Sequence, residues 1–197
     1  MLTLNYKKIE RERVKKMKKL NRKGFTLIEL LAVITIMGIL LLVAIPAVSR
    51  TIENSRRDTF MDTAKTYINT VRNSVLADEL DCGTNKSVAS VEDGDYYFLI
   101  DSESDDTKEI MQSGGLSSWN NAAVQGYVKW NKASSTGGTK LTFSVLLVDA
   151  GKHGIDGEKK ETELTRADVK TKTTIFAGGT ADGEKVPTPS GTQCTLR

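Results

Sequence analysis

A chain of 197 residues, of which 39% are hydrophobic and 27% charged, is long enough for one globular domain with appended segments. The formal net charge of +3 hides an asymmetry, since residues 1–24 hold ten Lys or Arg against two Glu and the remainder holds 18 basic and 23 acidic residues. Because the bulk of the chain is mildly acidic, we expect no direct binding of nucleic acid by it.

The basic N-terminal stretch precedes a long apolar run. Residues 25–48 are apolar apart from Thr26, Glu29 and Thr35. As a helix they would measure roughly 36 Å, which is enough to cross a bilayer with some tilt. Positive charge before the run predicts a cytoplasmic N-terminus and an outward-facing remainder. A separate cytoplasmic amphipathic helix is the alternative for the basic stretch, whereas a secretory signal is disfavoured because no small-residue cleavage site follows the run.

Glu29 is a carboxylate inside this apolar run. A carboxylate at the centre of a spanning helix costs on the order of 2.5–3.5 kcal/mol, and less near the interface. One interpretation is a tolerated interfacial charge. The other is that Glu29 pairs with a cation. Cleavage between Gly24 and Phe25 would create such a cation, the new amino terminus of Phe25.

The stretch Lys23-Gly24-Phe25-Thr26-Leu27-Ile28-Glu29 resembles the processing site of type IV pilins and type II secretion pseudopilins. The resemblance implies that a membrane peptidase cuts after Gly24 and methylates the amine of Phe25. It also implies assembly roles for Glu29 and Pro46, which match a glutamate and a proline of the family. It covers roughly residues 23–55, and the rest of the chain is similar only in layout.

What the resemblance implies for function is a structural prepilin of a pilus or pseudopilus-like filament, not an enzyme, and no cofactor. Its partners would be prepilin peptidase, other copies or related pilins, an inner-membrane assembly platform and lipid. The precursor would be a single-pass membrane protein with its N-terminus in the cytoplasm, and the mature form part of a cell-surface filament. Two alternatives are a minor pilin acting as a tip adhesin or DNA-capturing module, and a membrane-anchored enzyme, which leaves the Gly24, Phe25 and Glu29 combination unexplained.

After Pro46 the helical pattern becomes amphipathic. Gly38 and Pro46 weaken the helix between them. A mostly single-faced apolar stripe then follows at spacings of three and four, which predicts one helix from Phe25 to about Glu79 with Gly83 as its stop. The stripe comprises Ile52, Phe60, Ala64, Tyr67, Ile68, Val71, Val75 and Leu76.

The predicted fold is α+β and pilin-like: a long N-terminal helix packed on an antiparallel sheet of about four strands. The helix has a transmembrane half and an amphipathic half, and Tyr67, Val71 and Val75 meet the sheet. The predicted divisions are a leader (1–24), a transmembrane or filament-core helix (25–48), its amphipathic continuation (49–80) and an extracellular head (81–197).

The head has four predicted strands and an irregular end. The strands are Tyr96–Ile100, Val124–Trp130, Leu141–Val148 and Lys172–Phe176, with the second and third forming a hairpin across a longer glycine loop. A short helix is expected at Asp105–Gln112. The Gly-, Thr- and Pro-rich composition of Gly178–Gly191 predicts an irregular surface segment.

Cys82 and Cys194 lie 112 positions apart, one after the helix and the other near the end of the chain. Outside the membrane a disulfide is permitted, and a loop this long would gain about 4–5 kcal/mol in the chain-entropy model. The pair resembles the disulfide-bounded loop of many pilins. Two unpaired thiols are the alternative.

Catalytic and metal-binding patterns find little support in the sequence. His153, the one histidine, lies in a glycine-rich loop and is disfavoured as a catalytic base. Asp149, Asp156 and Glu158 are a candidate calcium site, because oxygen ligands on a glycine-bearing loop suit that ion. Their spacing matches no EF-hand, so a solvated turn is the favoured interpretation and no metal is expected.

Overall fold

The computed structural model describes residues 24–83, 87–101, 116–119, 121, 123–176, 184–187 and 189–196. The chain divides into two units, Met1–Val48 and Ser49–Arg197. Three predictions lie outside the described residues: most of the leader (residues 1–23), the short helix Asp105–Gln112, and the first part of the irregular end, residues 178–183.

Helix α1 runs from Leu27 to Leu76 and contains both Gly38 and Pro46. The predicted start at Phe25 was two residues too early, because the first helical residue follows a cap at Thr26. All of its residues up to Val48 are exposed. This long apolar helix and the sheet after it confirm the predicted α+β architecture.

The C-terminal end of α1 is set by Asp78 rather than by Gly83. Asp78 has φ of 60°, the left-handed conformation that closes many helices. The Glu79 N–H donates to the Ser74 carbonyl (2.9 Å) and the Asp78 N–H to the Val75 carbonyl (3.3 Å), the two bonds of a Schellman motif. The prediction of Gly83 as the stop was therefore wrong: Gly83 also has a positive φ, but it follows the first strand.

Within the second unit, six side chains of α1 form its buried face. Ile52 and Leu76, predicted as part of the stripe, are instead 48% and 68% exposed, because they lie near the two ends of this part of the helix. The buried six share one apolar core with the sheet and recur at spacings of three and four. They are Phe60, Ala64, Tyr67, Ile68, Val71 and Val75.

Eleven strands are present in the described part of the chain, and most are two residues long. The long strands are β2, β3 and β4. In chain order the strands are β1 (Leu80–Asp81), β2 (Gly94–Asp101), β3 (Val124–Ser135), β4 (Gly138–Asp149), β5 (Gly154–Ile155), β6 (Lys159–Lys160), β7 (Val169–Lys170), β8 (Ile175–Phe176), β9 (Glu184–Lys185), β10 (Thr192–Gln193) and β11 (Thr195–Leu196), with a 3-10 turn at Arg166–Asp168 before β7.

The main sheet has the order β10-β2-β3-β4-β5-β7, and β6 also pairs with β4. Every pairing in it is antiparallel except β10 with β2. Alternate residues of the long strands point toward α1 and complete the core. They include Tyr96, Phe98, Ile100, Val124, Val128, Trp130, Phe143, Val145 and Leu147.

The β3–β4 hairpin is tighter than the sequence suggested. Only Thr136 and Gly137 lie in its turn, and Ser135 pairs directly with Gly138. The serines that the prediction assigned to a long loop extend the ladder, which makes each strand 12 residues long. Asp93 stabilises this extension by accepting hydrogen bonds from the Ser134 N–H (2.8 Å) and hydroxyl (2.7 Å).

The predicted strand Lys172–Phe176 was wrong in extent and in partner. Only Ile175–Phe176 is a strand, and it pairs in parallel with β9 in a separate two-stranded sheet. Glu184–Lys185 is therefore also a strand, although it lies inside the stretch predicted to be irregular.

Candidate processing and assembly site

The backbone around Gly24 is open. Gly24 and Phe25 precede the helix, and Phe25 is 90% exposed. A Cβ added at Gly24 would meet no heavy atom within 4 Å. The peptide bond between these residues is therefore accessible, and glycine offers an enzyme a close approach to the backbone.

Thr26 and Glu29 cap the start of α1 reciprocally. The Thr26 N–H and hydroxyl both donate to Glu29 Oε2 at 2.9 Å, and the Glu29 N–H donates to Thr26 Oγ1 at 3.3 Å. The Thr26 carbonyl accepts the first helical hydrogen bond, from the Leu30 N–H. This is a capping box, which satisfies N–H groups that a helix end leaves without partners. Its Thr-x-x-Glu signature is present at residues 26–29, so the sequence itself contains a signal for this cap.

The first unit presents an apolar surface on every side of α1. Its large side chains from Leu27 to Val48 are at least half exposed. The Thr35 hydroxyl donates to the Ala32 carbonyl at 2.8 Å, so that polar group is satisfied within the helix. By length and composition, α1 is the one helix in the described part of the chain that could cross a membrane.

Residues 19–45 match the family described as the prokaryotic N-terminal methylation motif. The chain carries a prepilin-type cleavage and methylation signal. The match covers the end of the basic stretch, Gly24, Phe25, Glu29 and most of the apolar helix. No curated protein and no solved structure matches the chain significantly.

Pro46 lies one residue beyond the matched prepilin signal. It is inside α1, which continues for 30 residues to Leu76. Proline within a helix removes one backbone hydrogen bond, so this position remains a predicted point of pliancy.

Cys82 and Cys194 are joined by a disulfide and both are buried. The chain on either side of Cys194 is tied down by strand pairing: β10 lies against β2, and β11 lies against β1. The Cys194 N–H also donates to the Tyr97 carbonyl at 2.8 Å. The last described residues therefore form a strap along the edge of β2. Gly191 leads into it where a Cβ would lie 2.3 Å from the Tyr97 ring.

The candidate calcium ligands are not brought together. Asp149 is fully buried and accepts hydrogen bonds from Ser117 and His153, Asp156 accepts one from Thr174 (3.3 Å), and Glu158 pairs with Lys129 and Tyr127. Among the described residues, no group of three or more His, Cys, Asp or Glu side chains could hold a metal ion.

Glu158 belongs to a polar cluster on the sheet face that points away from α1. It pairs with Lys129 and accepts a hydrogen bond from the Tyr127 hydroxyl at 3.2 Å. Burial and the neighbouring Glu158 carboxylate raise the pKa of Tyr127 well above its usual value, which keeps its hydroxyl protonated as a donor. These contacts give Glu158 a structural role.

Proposed function

We propose that the chain is a prepilin whose mature form is a structural subunit of a type IV pilus or pseudopilus-like filament. The observation that carries the proposal is the prepilin-type signal over residues 19–45. It overlaps a helix whose apolar side chains are exposed up to Val48. Such a surface is stable only in lipid or against other apolar helices. A subunit stored in a membrane and then assembled through the same helix uses both environments.

In this proposal prepilin peptidase cleaves after Gly24 and the amine of Phe25 is methylated. The open backbone at Gly24 and the exposure of Phe25 support that step. Residues 1–24 are then the removed leader, 25–48 the membrane and filament-core helix, 49–80 its amphipathic continuation and 81–197 the exported head.

Glu29 has the geometry to receive the amine that cleavage creates. Its Oε2 is engaged by Thr26, whereas its Oε1 accepts no hydrogen bond among the described residues. A cation beside Oε1 would offset the cost of the carboxylate in a medium where attraction is weakly screened. In a filament the amine of a neighbouring copy would set the axial register by this contact, and pliancy at Pro46 would help the helix move from lipid into the filament core.

The test is the mature N-terminus of protein extracted from the membranes of cells with an active prepilin peptidase. We expect N-terminal sequencing to begin at Phe25 and intact mass to exceed the unmodified mature chain by one methylene group. Gly24→Val should block cleavage, whereas Gly38→Val, at another glycine with open space around it, should leave cleavage intact. Recovery of a chain that starts at Met1 would overturn the assignment.

A further inference from the structure

We propose that the second unit contacts an anionic lipid surface through a foot made of Arg50, Ile52, Arg56, Leu116 and Trp119. The inference rests on the proposed membrane-spanning role of residues 25–48. The partner is the headgroup layer of the membrane that the helix crosses, on the side of the exported head.

The foot is built where a short loop segment, Leu116–Trp119, is fixed to α1. The Ser118 hydroxyl donates to the Arg56 carbonyl at 2.7 Å, and the Trp119 indole N–H lies 3.4 Å from Glu53 Oε2. The Trp119 ring also packs against Phe60, with the two ring centroids 5.7 Å apart. These contacts hold the segment beside the part of α1 that follows the apolar run.

Trp119 is also supported from the side of the sheet. The His153 ring stacks on it with centroids 4.6 Å apart and planes 8° apart. His153 Nδ1 lies 3.0 Å from the buried Asp149 carboxylate, which also accepts a hydrogen bond from Ser117. The indole is therefore held rigidly although it is only partly buried, and a fixed, half-exposed Trp is typical of membrane–water interfaces.

Exposed apolar side chains are concentrated at this end of the second unit. In its described part three large apolar residues are strongly exposed: Ile52, Leu116 and Leu76. Ile52 and Leu116 belong to the foot, and Leu76 is the last residue of α1, about 36 Å along the helix from Ile52. Apolar side chains that enter an interface beside Trp and Arg strengthen attachment of an amphipathic surface to a bilayer.

Among the described residues, the two carboxylates on this part of α1, Glu53 and Asp58, are already paired. Glu53 pairs with Arg57 at 3.1 Å, and Asp58 pairs with Arg166 through two hydrogen bonds. Arg50 and Arg56 are exposed, and neither guanidinium has an ion-pair partner among the described residues. Two unneutralised guanidinium groups suit the phosphates of anionic lipid.

Chain connectivity alone keeps these arginines close to the end of the apolar run. Arg50 and Arg56 are two and eight residues beyond Val48, which along a helix is about 3 Å and 12 Å. The headgroup layer adds about 5–8 Å to each side of the hydrocarbon core, and the surface potential extends about one Debye length, roughly 8–10 Å, beyond it. Both guanidinium groups therefore fall within reach of the headgroups or their potential.

The consequence is that anionic lipid holds the head of an unassembled subunit against the membrane. Each basic side chain near such a surface should favour the docked state by about fivefold, and both together by about 30-fold. These contacts are lost when the subunit leaves the bilayer for a filament, so the lipid composition would influence how readily subunits are extracted.

The experiment uses the full chain reconstituted in vesicles of phosphatidylcholine alone or of equimolar phosphatidylcholine and phosphatidylglycerol. Each vesicle contains phosphatidylcholine brominated near the glycerol end of its acyl chains, which quenches tryptophan at the interface. Trp130 is fully buried and gives a constant background, and Trp119→Phe measures that background. We expect stronger quenching of Trp119 in anionic vesicles, and loss of the difference in high salt.

The variants separate charge from fold. Arg50→Gln with Arg56→Gln should reduce the ratio of docked to undocked Trp119 about 30-fold in anionic vesicles, while Arg50→Lys with Arg56→Lys should retain most of it. Lys140→Gln is the control. Lys140 is exposed close to the turn of the β3–β4 hairpin, where it lies opposite Ala133 in the strand register. Quenching that is equal in both vesicles, or unchanged by the double Gln variant, would overturn the foot. Failure of the chain to float with vesicles would instead overturn the membrane span.

Discussion

Thr26 and Glu29 satisfy each other's backbone N–H groups at the first turn of α1. The contact gives Glu29 a task within its own chain, separate from any pairing between subunits. Only Phe25 separates this cap from the proposed cleavage point, the bond between Gly24 and Phe25. The capping task and the charge of Glu29 are therefore separable by mutation.

Thr26→Ala should fray the first turn of α1. Loss of a Thr cap costs about 0.5–2 kcal/mol of helix stability, because the Glu29 N–H loses its acceptor, Thr26 Oγ1. Amide hydrogen exchange of residues 27–30 in the reconstituted chain should become faster, with later residues unchanged. Thr26→Ser is the matched control, since serine caps equally well. Equal exchange in the Ala and Ser variants would show that the cap does not hold this turn.

Glu29→Gln and Glu29→Ala should differ in the first turn but agree in assembly. Gln at this position keeps the capping box and removes the charge, whereas Ala removes both. We expect both variants to insert and to be cleaved after Gly24, and both to lose filament incorporation because an incoming amine would be buried without a partner. Surface-sheared filaments and immunoblots of processed protein in membranes measure the two steps. Filaments at normal yield from the Gln variant would show that the charge does not guide assembly.

The sequence predicted those parts of the fold in which apolar residues recur at a regular spacing. The apolar run, the stripe from Phe60 to Val75 and the cores of β2, β3 and β4 follow from spacing alone. The stop at Asp78 was missed because an Asp in the left-handed conformation is less common than the Gly expected there. Two-residue strands such as β10 and β11 are too short to show an alternation of apolar and polar residues. They depend on pairing with strands far along the chain.

At the candidate site, the motif was predictable and the foot was not. Gly24, Phe25 and Glu29 lie within six consecutive positions, so a short sequence motif includes all three. Trp119 meets Glu53 and His153 only through the fold, across 66 and 34 positions of chain. Non-local contacts of this kind leave no spacing signal in a single sequence.

Removing the disulfide should destabilise the strap. Cys82→Ser with Cys194→Ser should lower the free energy of unfolding by about 2–5 kcal/mol and expose residues 189–196 to proteolysis, because β10 and β11 are held by only two residue pairs each. Peptide mapping of the native protein without reductant should recover the linked pair. Free alkylation of both cysteines under those conditions would contradict the pairing.

Asp168 should make stability depend on acid pH. Its carboxylate accepts hydrogen bonds from the Thr165 hydroxyl (2.7 Å) and N–H (2.9 Å) and pairs with Lys159 (3.0 Å). The Thr165 hydroxyl bond above all, with the contacts to Lys159, lowers the pKa of Asp168 from 3.8 to about 2. A lowered pKa contributes stability that is complete above 3.8 and is lost as the pH falls toward 2.

The measurement is the midpoint of thermal unfolding of Asp168→Asn and of the native chain between about pH 5 and pH 2. The native chain should be more stable at the upper end, and the difference should shrink as the pH falls. Asp62→Asn, at an exposed position of α1, is the control and should show no such convergence. A difference that is constant over the whole range would contradict the assignment to Asp168.

Asp149 should be the most sensitive of the buried polar positions in the described part of the second unit. It is fully buried and accepts hydrogen bonds from the Ser117 hydroxyl, the His153 N–H (2.8 Å) and His153 Nδ1 (3.0 Å). Asp149→Ala leaves these donors without an acceptor, at about 1–3 kcal/mol for each donor that stays buried. Asp149→Asn keeps one acceptor oxygen and should lose less. Urea unfolding with an unchanged m-value measures the free energy of unfolding, which should be highest in the native chain, lower in Asp149→Asn and lowest in Asp149→Ala.

The Asp149→Ala variant should also loosen the Trp119 indole, because His153 stacks on that ring. Iodide should then quench the fluorescence of Trp119 faster in the folded protein. An Ala variant as stable as the native chain, with Trp119 equally protected, would show that this buried carboxylate does not organise the loop.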